Sequence, residues 1–558
     1  MTDETPKRVF CLGLDGATFD LIEPWAKAGH LPNLRALMEQ GVWGTLNSVI
    51  LPFTPQAWGS FMCGVNPGKH GVFGFKQKLP GGYSFQLVNN SSLRTKTLWR
   101  LLSELGKRVI LVNIPMTYPV EEVNGILIGG MDSPGLESDF VYPAAFKETL
   151  LAASPNYVIH LHVGAGYLDT DAKRREGLAG LLEMVAARER AILYLLDNHP
   201  WDFFALNFAA IDQVQHHFWK YMGDGGPFGE AVLAVHRRVD EAVGRIVERL
   251  GPDVLLLVMS DHGAGAASEW VIFIDEWLRQ HNLLAFKEGA RAAAGARNAV
   301  DFALNLFSRR LGSGAKDYLM RTFPGLRAKS QGFVRRSLID WGRTAVYSGE
   351  HAATLRVNLA GRDPQGTVSG ADYERVRDEV IRVCSGLRDP ESGEPLIERV
   401  CRREEIYSGP NIGEAPDLVM IPKDFAHQVR GGPFPRDGRY REVVSRKDSR
   451  DFFVNGVHRL NGVFMAKGPR VKRGERLAPL SIIDLFPTVL YALGLPVPEA
   501  VDGRAALQIF EEGFVAGRPV RYVSWDIDRH AAPGALSYGS ESEAETIERA
   551  LKGLGYLD

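Results

Sequence analysis

The sequence has few cysteines, almost no net charge and no long apolar run, and each shortage excludes a class of protein. The chain holds 4 cysteines in 558 residues, at positions 11, 63, 384 and 401, too scattered for a metal cluster or a disulfide framework. We expect buried free thiols in a reducing compartment. The formal net charge is -2, so no overall field points to nucleic acid or to a membrane.

No apolar run is long enough to span a bilayer, and the N-terminus leads directly into a strand pattern without an apolar leader. We therefore predict a cytoplasmic protein without a transmembrane segment. Hydrophobic residues make up 45% of the chain and charged residues 24%, which is typical of a globular protein. The length favours one large domain with insertions, or two domains.

Short apolar segments alternate with helical patterns through most of the chain. The clearest apolar segments lie at 8–14, 108–114, 126–130, 203–211 and 254–260. Runs of this length are typical of strands that are buried on both faces. The alternation predicts an α/β fold with a doubly wound, mostly parallel central sheet and helices on both of its faces.

Three of these predicted strands are followed by carboxylates. Asp15 follows the first segment, Asp212 follows 203–211 and Asp261 follows 254–260. Because ligands of open α/β sheets gather at the carboxyl ends of strands, each Asp occupies a position suited to a metal ligand. For Asp15, the alternative is a side chain that caps the next turn.

Histidines accompany two of these carboxylates. Asp212 and His216 are four residues apart at the start of a predicted helix, so both side chains project from one face and suit zinc. His262 directly follows Asp261 at the end of a strand. For Asp212 and His216 the alternative is a pair on the surface, and for Asp261 and His262 it is a polar turn. His458, in a polar loop flanked by glycine, is a candidate for the last ligand.

The segment 51–71 reads LPFTPQAWGSFMCGVNPGKHG and begins a predicted helix at Thr54-Pro55. Thr is a preferred N-cap and Pro is preferred at the first helical position, so we predict Thr54 as the N-cap. A role limited to capping is one interpretation. A hydroxyl at the positive end of a helix is also suited to attack phosphorus, which makes Thr54 a candidate nucleophile. His70 is predicted to be part of a turn.

The order of these residues resembles the alkaline phosphatase superfamily, and within it the type I phosphodiesterase/nucleotide pyrophosphatase group. Five motifs match in chain order. The first is Asp15 at the end of a strand, and the second is Thr54 before a helix that ends in G-x-x-P-x-x-H-G. The other three are D-x-x-x-H, then D-H-G, and last G-x-H at His458. The resemblance implies a metal-dependent phosphohydrolase with an alkaline phosphatase-like core.

The resemblance also implies two divalent metal ions, zinc or alternatively manganese. The implied ligands are Asp212, His216 and His458 for one ion, and Asp15, Asp261, His262 and Thr54 for the other. Thr54 would attack phosphorus in line and form a phosphothreonine.

The resemblance is interrupted at 276–345, where Ala, Arg and Lys dominate and acidic residues are few. We predict a basic helical insertion, which either packs over the core or caps the site for a phosphorylated or lipid-borne substrate, with peripheral membrane contact. Around it we expect the first part of the core at 1–275, the second part at 346–510 and a C-terminal extension at 511–558.

The substrate stays open. Nucleotide pyrophosphatases carry an Asn after the nucleophile that holds a phosphate oxygen, and no clear equivalent stands here, where Ala57 lies three residues after Thr54. A phosphomonoesterase is therefore an alternative to a phosphodiesterase or nucleotide pyrophosphatase. A non-catalytic, metal-binding relative is the third possibility. The expected partner is a small-molecule phosphate ester, not nucleic acid.

Overall fold

The computed structural model describes residues 5–161, 168, 170–289, 336–432, 442–446, 454–529, 538 and 541–554. Most of the insertion predicted at 276–345 falls on 290–335, which lies outside the described residues. The division of the chain into four segments therefore stays a prediction. Within the described ranges, no helix combines the length and the apolar character needed to cross a membrane.

The strands run in chain order from Arg8 to Val523. They are β1 (Arg8–Gly13), β2 (Val42–Asn47), β3 (Lys76–Lys78), β4 (Phe85–Leu87), β5 (Val109–Ile114), β6 (Gly125–Gly129), β7 (Val141–Tyr142), β8 (Phe203–Asn207), β9 (Val254–Met259), β10 (Gly263–Ala266), β11 (Trp270–Phe273), β12 (Val346–Ser348), β13 (Thr354–Val357), β14 (Ile397–Arg402), β15 (Leu418–Pro422), β16 (Gln428–Arg430), β17 (Val444–Arg446), β18 (Gly456–Arg459), β19 (Asn461–Lys467), β20 (Glu475–Arg476), β21 (Leu480–Ser481), β22 (Val497–Pro498) and β23 (Tyr522–Val523).

The α-helices range from one turn to 28 residues in length. They are α1 (Phe19–Lys27), α2 (Pro32–Gln40), α3 (Thr54–Cys63), α4 (Pro67–His70), α5 (Leu98–Glu104), α6 (Phe146–Ala153), α7 (Asp171–Asn198), α8 (Ala210–Phe218), α9 (Ala231–Arg249), α10 (Ile274–Gln280), α11 (Tyr373–Cys384), α12 (Arg403–Ile406), α13 (Leu485–Ala492), α14 (Glu512–Ala516) and α15 (Glu541–Leu554).

A ten-stranded sheet forms the centre of the molecule, in the order β20-β2-β19-β9-β1-β8-β5-β6-β7, with β21 also paired to β2. Neighbouring strands from β9 to β6 are all parallel. In contrast, β19 is antiparallel to both of its neighbours, and β7 is antiparallel to β6. The mostly parallel sheet predicted from the sequence is confirmed.

Helices cover both faces of this sheet, because alternate residues of a strand point to opposite sides. In β1, Phe10 and Leu12 pack in a hydrophobic cluster with α2, α7 and α9. Val9 and Cys11 pack in a second cluster with α3, α5 and α13. The doubly wound arrangement is therefore confirmed. All four cysteines are free and buried, as predicted.

The carboxyl ends of β1, β8 and β9 lie side by side at one edge of the sheet. Gly13 is opposite both Asn207 and Met259, so the segments that follow these three strands leave from the same edge. β2 runs parallel to β9, because both are antiparallel to β19. The segment between β2 and α3 therefore begins at this edge, and β19 starts there.

The strand predicted at 203–211 is too long. β8 ends at Asn207, and α8 begins at Ala210. Phe208, Ala210 and Ile211 are buried like the strand residues before them. Apolar character therefore continues from the strand into the helix, and it does not mark the boundary between them.

A separate antiparallel sheet, β12-β13-β15-β14, lies outside the central sheet. Its inward-facing residues, such as Leu355 and Val419, form a hydrophobic cluster of their own with α11. The central sheet resumes with β19. The site described below depends on the central sheet and on β18, which pairs with β10.

We predict that Gly41→Ala destabilises the fold, because Gly41 follows α2 in close contact with β19. A Cβ at this position would lie 2.0 Å from the Ala466 carbonyl oxygen. The free energy of unfolding, measured by urea denaturation, should fall by about 1–3 kcal/mol, as expected for overpacking. Gly513→Ala is the control, since a Cβ there meets nothing within 4 Å. Equal losses in both variants would contradict the prediction.

Candidate metal centre and active site

Six of the predicted site residues meet at the carboxyl edge of the central sheet. Their ligand-type atoms form two groups, and within each group these atoms lie within 4.8 Å of one another. The first ligand group is Asp212, His216 and His458, and the second ligand group is Asp15, Asp261 and His262. These are the two sets that the resemblance implies.

The first ligand group lies between α8 and β18. One turn of α8 separates Asp212 from His216, with 3.3 Å between Oδ2 and Nε2. His458 of β18 contributes its Nε2, which lies 3.5 Å from Asp212 Oδ1 and 3.1 Å from His216 Nε2. Three ligand-type atoms from two elements therefore converge.

The second ligand group follows β1 and β9. His262 Nε2 lies 3.3 Å from Asp261 Oδ2 and 3.7 Å from Asp15 Oδ1. The Gly16 backbone N–H donates to Asp261 Oδ1 over 3.3 Å, and Asn207 Nδ2 donates to Asp15 Oδ2 over 2.6 Å. Each carboxylate therefore has one oxygen hydrogen-bonded to the chain and the other near His262.

All three histidines are oriented in the same way. His216 Nδ1 lies 2.7 Å from the Gly456 carbonyl oxygen, and His458 Nδ1 lies 2.8 Å from that of Pro52. His262 Nδ1 lies 3.0 Å from its neighbour's carbonyl oxygen. Because a carbonyl only accepts, each Nδ1 carries a hydrogen, and Nε2 is the ring nitrogen that is turned toward the other ligand-type atoms and would bind a metal ion.

The two ligand groups are in direct contact. The imidazole rings of His262 and His458 are stacked, with 3.6 Å between their centroids and 20° between their planes. One ring belongs to each group, so two ions bound here would be close neighbours.

Burial and mutual repulsion determine the protonation of the carboxylates. Burial, and then the charges of Asp261 and Asp212, raise the pKa of Asp15 well above its ordinary value. Burial and Asp212 raise the pKa of Asp261 to about 8. Burial alone would also raise the pKa of Asp212, but His216 and His458 outweigh it and hold this pKa below its ordinary value. The negative charge of the second ligand group is therefore not compensated by its own residues.

Thr54 is the first residue of α3, and Phe53 is the N-cap. The prediction that Thr54 is the N-cap is therefore wrong. The extended backbone stops at Phe53, and Pro55 fits one position further into the first turn because the amide hydrogens there have no intrahelical acceptor. Thr54 Oγ1 is buried and has no hydrogen-bond partner in the described part of the chain.

The start of α3 lies beside both ligand groups. Trp58 is one turn after Thr54 on the same face, and its Cη2 approaches Gly13 so closely that a Cβ there would lie 2.8 Å away. This face of α3 therefore packs against the end of β1, which leads to Asp15. On the other side, the Pro52 carbonyl accepts the hydrogen bond from His458.

His70 has a structural role, as predicted. Its Nδ1 accepts the Val72 backbone N–H over 3.2 Å, and its Nε2 lies 3.0 Å from Ser60 Oγ. Both ring nitrogens are thus used to hold the turn after α4 against α3.

Asn207 is the site residue that the sequence analysis does not identify. Its side chain contacts Asp15, but the predicted strand at 203–211 places it in the interior of a strand. The available signal is its polar amide within an otherwise apolar run, FFALNFAAI.

The donor set fits metal ions. Imidazole nitrogens and carboxylate oxygens are ligands that zinc and manganese accept. Buried polar atoms without hydrogen-bond partners among the described residues include Asp15 Oδ1, Asp261 Oδ2 and His262 Nε2. Such atoms are rare in folded proteins, and here they face one another, as the ligands of an ion would.

One comparison with known proteins shows the family of this chain. The family profile described as type I phosphodiesterase / nucleotide pyrophosphatase matches residues 9–430, which include all the predicted site residues except His458. No curated protein matches the sequence.

Two solved structures are similar to the chain at low sequence identity, and the first of them shares its fold. Phosphonoacetate hydrolase from Sinorhizobium meliloti 1021 has a TM-score of 0.52 and 15% identity, over 88% of this chain and 95% of that chain. Murine ectonucleotide pyrophosphatase / phosphodiesterase 5 has a TM-score of 0.48 and 12% identity, over 90% of this chain and 100% of that chain. From the match over 9–430, the chain belongs to the type I phosphodiesterase / nucleotide pyrophosphatase family, whose members are metal-dependent hydrolases that act on phosphoester bonds.

Proposed function

We propose that this chain is a phosphodiesterase of the nucleotide pyrophosphatase type that cleaves small-molecule phosphate esters through Thr54. The observation that carries the proposal is the Thr54 hydroxyl, which is buried without a hydrogen-bond partner among the described residues. Thr54 lies two residues after Pro52, whose carbonyl oxygen accepts the hydrogen bond from His458 of the first ligand group. An unsatisfied buried hydroxyl costs about 1–3 kcal/mol. A role in the reaction gives a reason for keeping it.

Two divalent ions complete the proposed site. The first ligand group would hold one ion, and the second ligand group together with Thr54 would hold the other. Zinc suits this donor set, and manganese is the alternative. When bound, such ions favour the deprotonated hydroxyl and neutralise charge on the phosphoryl oxygens.

In the proposed reaction, Thr54 loses its hydroxyl proton, and its Oγ1 forms a bond to phosphorus as the ester P–O bond breaks. The leaving alkoxide takes a proton from solvent, which balances the proton that Thr54 loses. Water then cleaves the bond between Thr54 Oγ1 and phosphorus, which releases the product and restores the hydroxyl. The positive end of α3 favours the anionic phosphoryl group.

The insertion at 276–345 is proposed as a cap over the site. Its described ends lie together, because Phe286 and Ile339 form an isolated antiparallel bridge. Trp341 also stacks on Tyr83 with ring centroids 3.6 Å apart, which ties this end to the β3–β4 hairpin region. A cytoplasmic location is proposed as well, with support from the free, buried cysteines.

The choice between diester and monoester is tested with a pair of chromogenic substrates. We expect bis(p-nitrophenyl) phosphate to be cleaved faster than p-nitrophenyl phosphate. Chelation should abolish turnover, and added Zn²⁺ or Mn²⁺ should restore it, because the ions neutralise the transition state. Faster monoester cleavage would favour the phosphomonoesterase. No turnover of either substrate by a protein that binds two ions would favour the non-catalytic relative.

Metal binding should strengthen as the pH rises. In the metal-free protein, Asp261 with a pKa of about 8 holds a proton at neutral pH, and the raised pKa of Asp15 favours its protonated form as well. These protons must leave when an ion binds, so affinity should rise up to about tenfold per pH unit for each proton released. Mn²⁺ titration at pH 6, 7 and 8 measures this, and an affinity that does not change with pH would contradict it.

The same raised pKa values predict the sign of the stability change. Between the ordinary Asp value and about pH 8, Asp261 holds a proton in the folded metal-free chain but not in the unfolded chain. The stability that this group contributes, measured as the difference in melting temperature between the natural chain and Asp261→Asn, should therefore fall from pH 7 to pH 8. The metal-loaded chain should lose less over this interval.

Thr54→Val tests the nucleophile. Valine keeps the shape of the side chain and removes only the unpartnered hydroxyl, so stability should be unchanged or higher, while turnover should fall by at least about a thousandfold because no covalent intermediate forms. Thr54→Ser should keep part of the turnover.

The matched control is Thr97→Val. Thr97 is equally buried and caps α5, where its Oγ1 accepts the Arg100 N–H and donates to Glu121. This variant should lose about 1 kcal/mol of stability and keep its turnover. Near-normal turnover in Thr54→Val would mean that water attacks phosphorus directly.

A further inference from the structure

We infer that Asn207 is a positioning residue that orients the Asp15 carboxylate within the second ligand group, an inference that rests on the proposed function. Asn207 Nδ2 donates to Asp15 Oδ2 over 2.6 Å, and both residues are 1% exposed. Asp15 Oδ1 has no hydrogen-bond partner among the described residues and lies 3.7 Å from His262 Nε2. The amide therefore determines which oxygen faces the other ligands.

Gly13 allows the amide to reach Asp15. In the parallel register of β1 and β8, Gly13 is opposite Asn207. A Cβ on Gly13 would lie 3.0 Å from Asn207 Oδ1 and 2.8 Å from the Leu206 carbonyl oxygen. Any side chain at position 13 would thus compete for the space that the amide occupies.

Arg188 of α7 holds the backbone of Asn207 in place. Its Nη1 donates to the Asn207 carbonyl oxygen over 2.9 Å, and its Nη2 donates to the Ile159 carbonyl oxygen over 2.9 Å. The guanidinium is buried, and its positive charge is attracted to Asp15. Asn207 is therefore fixed through its backbone as well as through its amide.

A purely structural amide and a positioning amide have different consequences. A structural hydrogen bond between buried groups contributes about 0.5–1.5 kcal/mol to stability and has no selective effect on either ion. A residue that orients a ligand changes metal affinity typically by about 10–100-fold, at the ion that this ligand binds. The readout is therefore the affinity of each ion, measured separately.

The test is Asn207→Leu in the full-length chain, because Leu fills a similar volume without a donor. Zn²⁺ is titrated in competition with a chromophoric chelator. The natural chain should take up two ions, whereas Asn207→Leu should keep one at its original affinity and bind the other about 10–100-fold more weakly. Asn90→Leu is the control: Asn90 is equally buried, and its Nδ2 donates one bond of 2.8 Å to the Pro119 carbonyl oxygen. This control should bind both ions normally.

Two results would overturn the inference: unchanged affinity for both ions in Asn207→Leu, or an equal loss at both. Should that variant fail to fold, as judged by its melting temperature in chelator, Asn207→Ala decides by the same criteria, since Ala removes the donor and adds neither bulk nor charge. A natural chain that binds no more than one ion would instead overturn the proposed function, and the inference with it.

Discussion

The burial of three carboxylates in one place is the constraint on which the site depends. Asp15, Asp212 and Asp261 are each at most 1% exposed, and a buried charge is costly unless an opposite charge compensates it. His216, whose own pKa is raised beside Asp212, is the main group that keeps the pKa of Asp212 low, with a smaller effect of His458. Asp15 and Asp261 have His262 near their free oxygens, but burial and the neighbouring carboxylates raise their pKa values. The fold therefore brings together an excess of carboxyl groups whose ionised form a divalent cation would stabilise.

The parallel register of the central sheet creates this excess. Since β1, β8 and β9 run in the same direction, the residues after all three strands emerge at one edge. Backbone and amide groups then give each carboxylate a defined orientation: Gly16 N–H binds Asp261, and Asn207 binds Asp15. The histidines are oriented by carbonyl groups in the same manner. Rigid strands thus fix the ligand-type atoms of both groups before any ion is present.

The doubly wound fold could be predicted from the sequence, because burial on both faces leaves continuous apolar strands, and the carboxylates of the ligand groups follow such strands directly. The division of the ligands into two sets is what the family resemblance implies, and it stays a prediction. Two errors have a common cause. The strand predicted at 203–211 is too long, and Thr54 is not the N-cap. Apolar character and residue preference locate a strand or helix to within a few residues, but they do not fix the residue at which it begins or ends. The first error places Asn207 inside a strand and hides its contact with Asp15.

The sequence by itself determined the doubly wound class, the order of the motifs and the family, because these depend on residue types at fixed spacings along the chain. Only the tertiary structure decided that the two ligand groups touch through His262 and His458, which are far apart in the sequence. It also decided that the Thr54 hydroxyl has no hydrogen-bond partner within the described part of the chain and that Asn207 selects one oxygen of Asp15. All three depend on distances between separate elements. Strand register and helix packing set these distances, and the spacing of residues within one segment does not encode them.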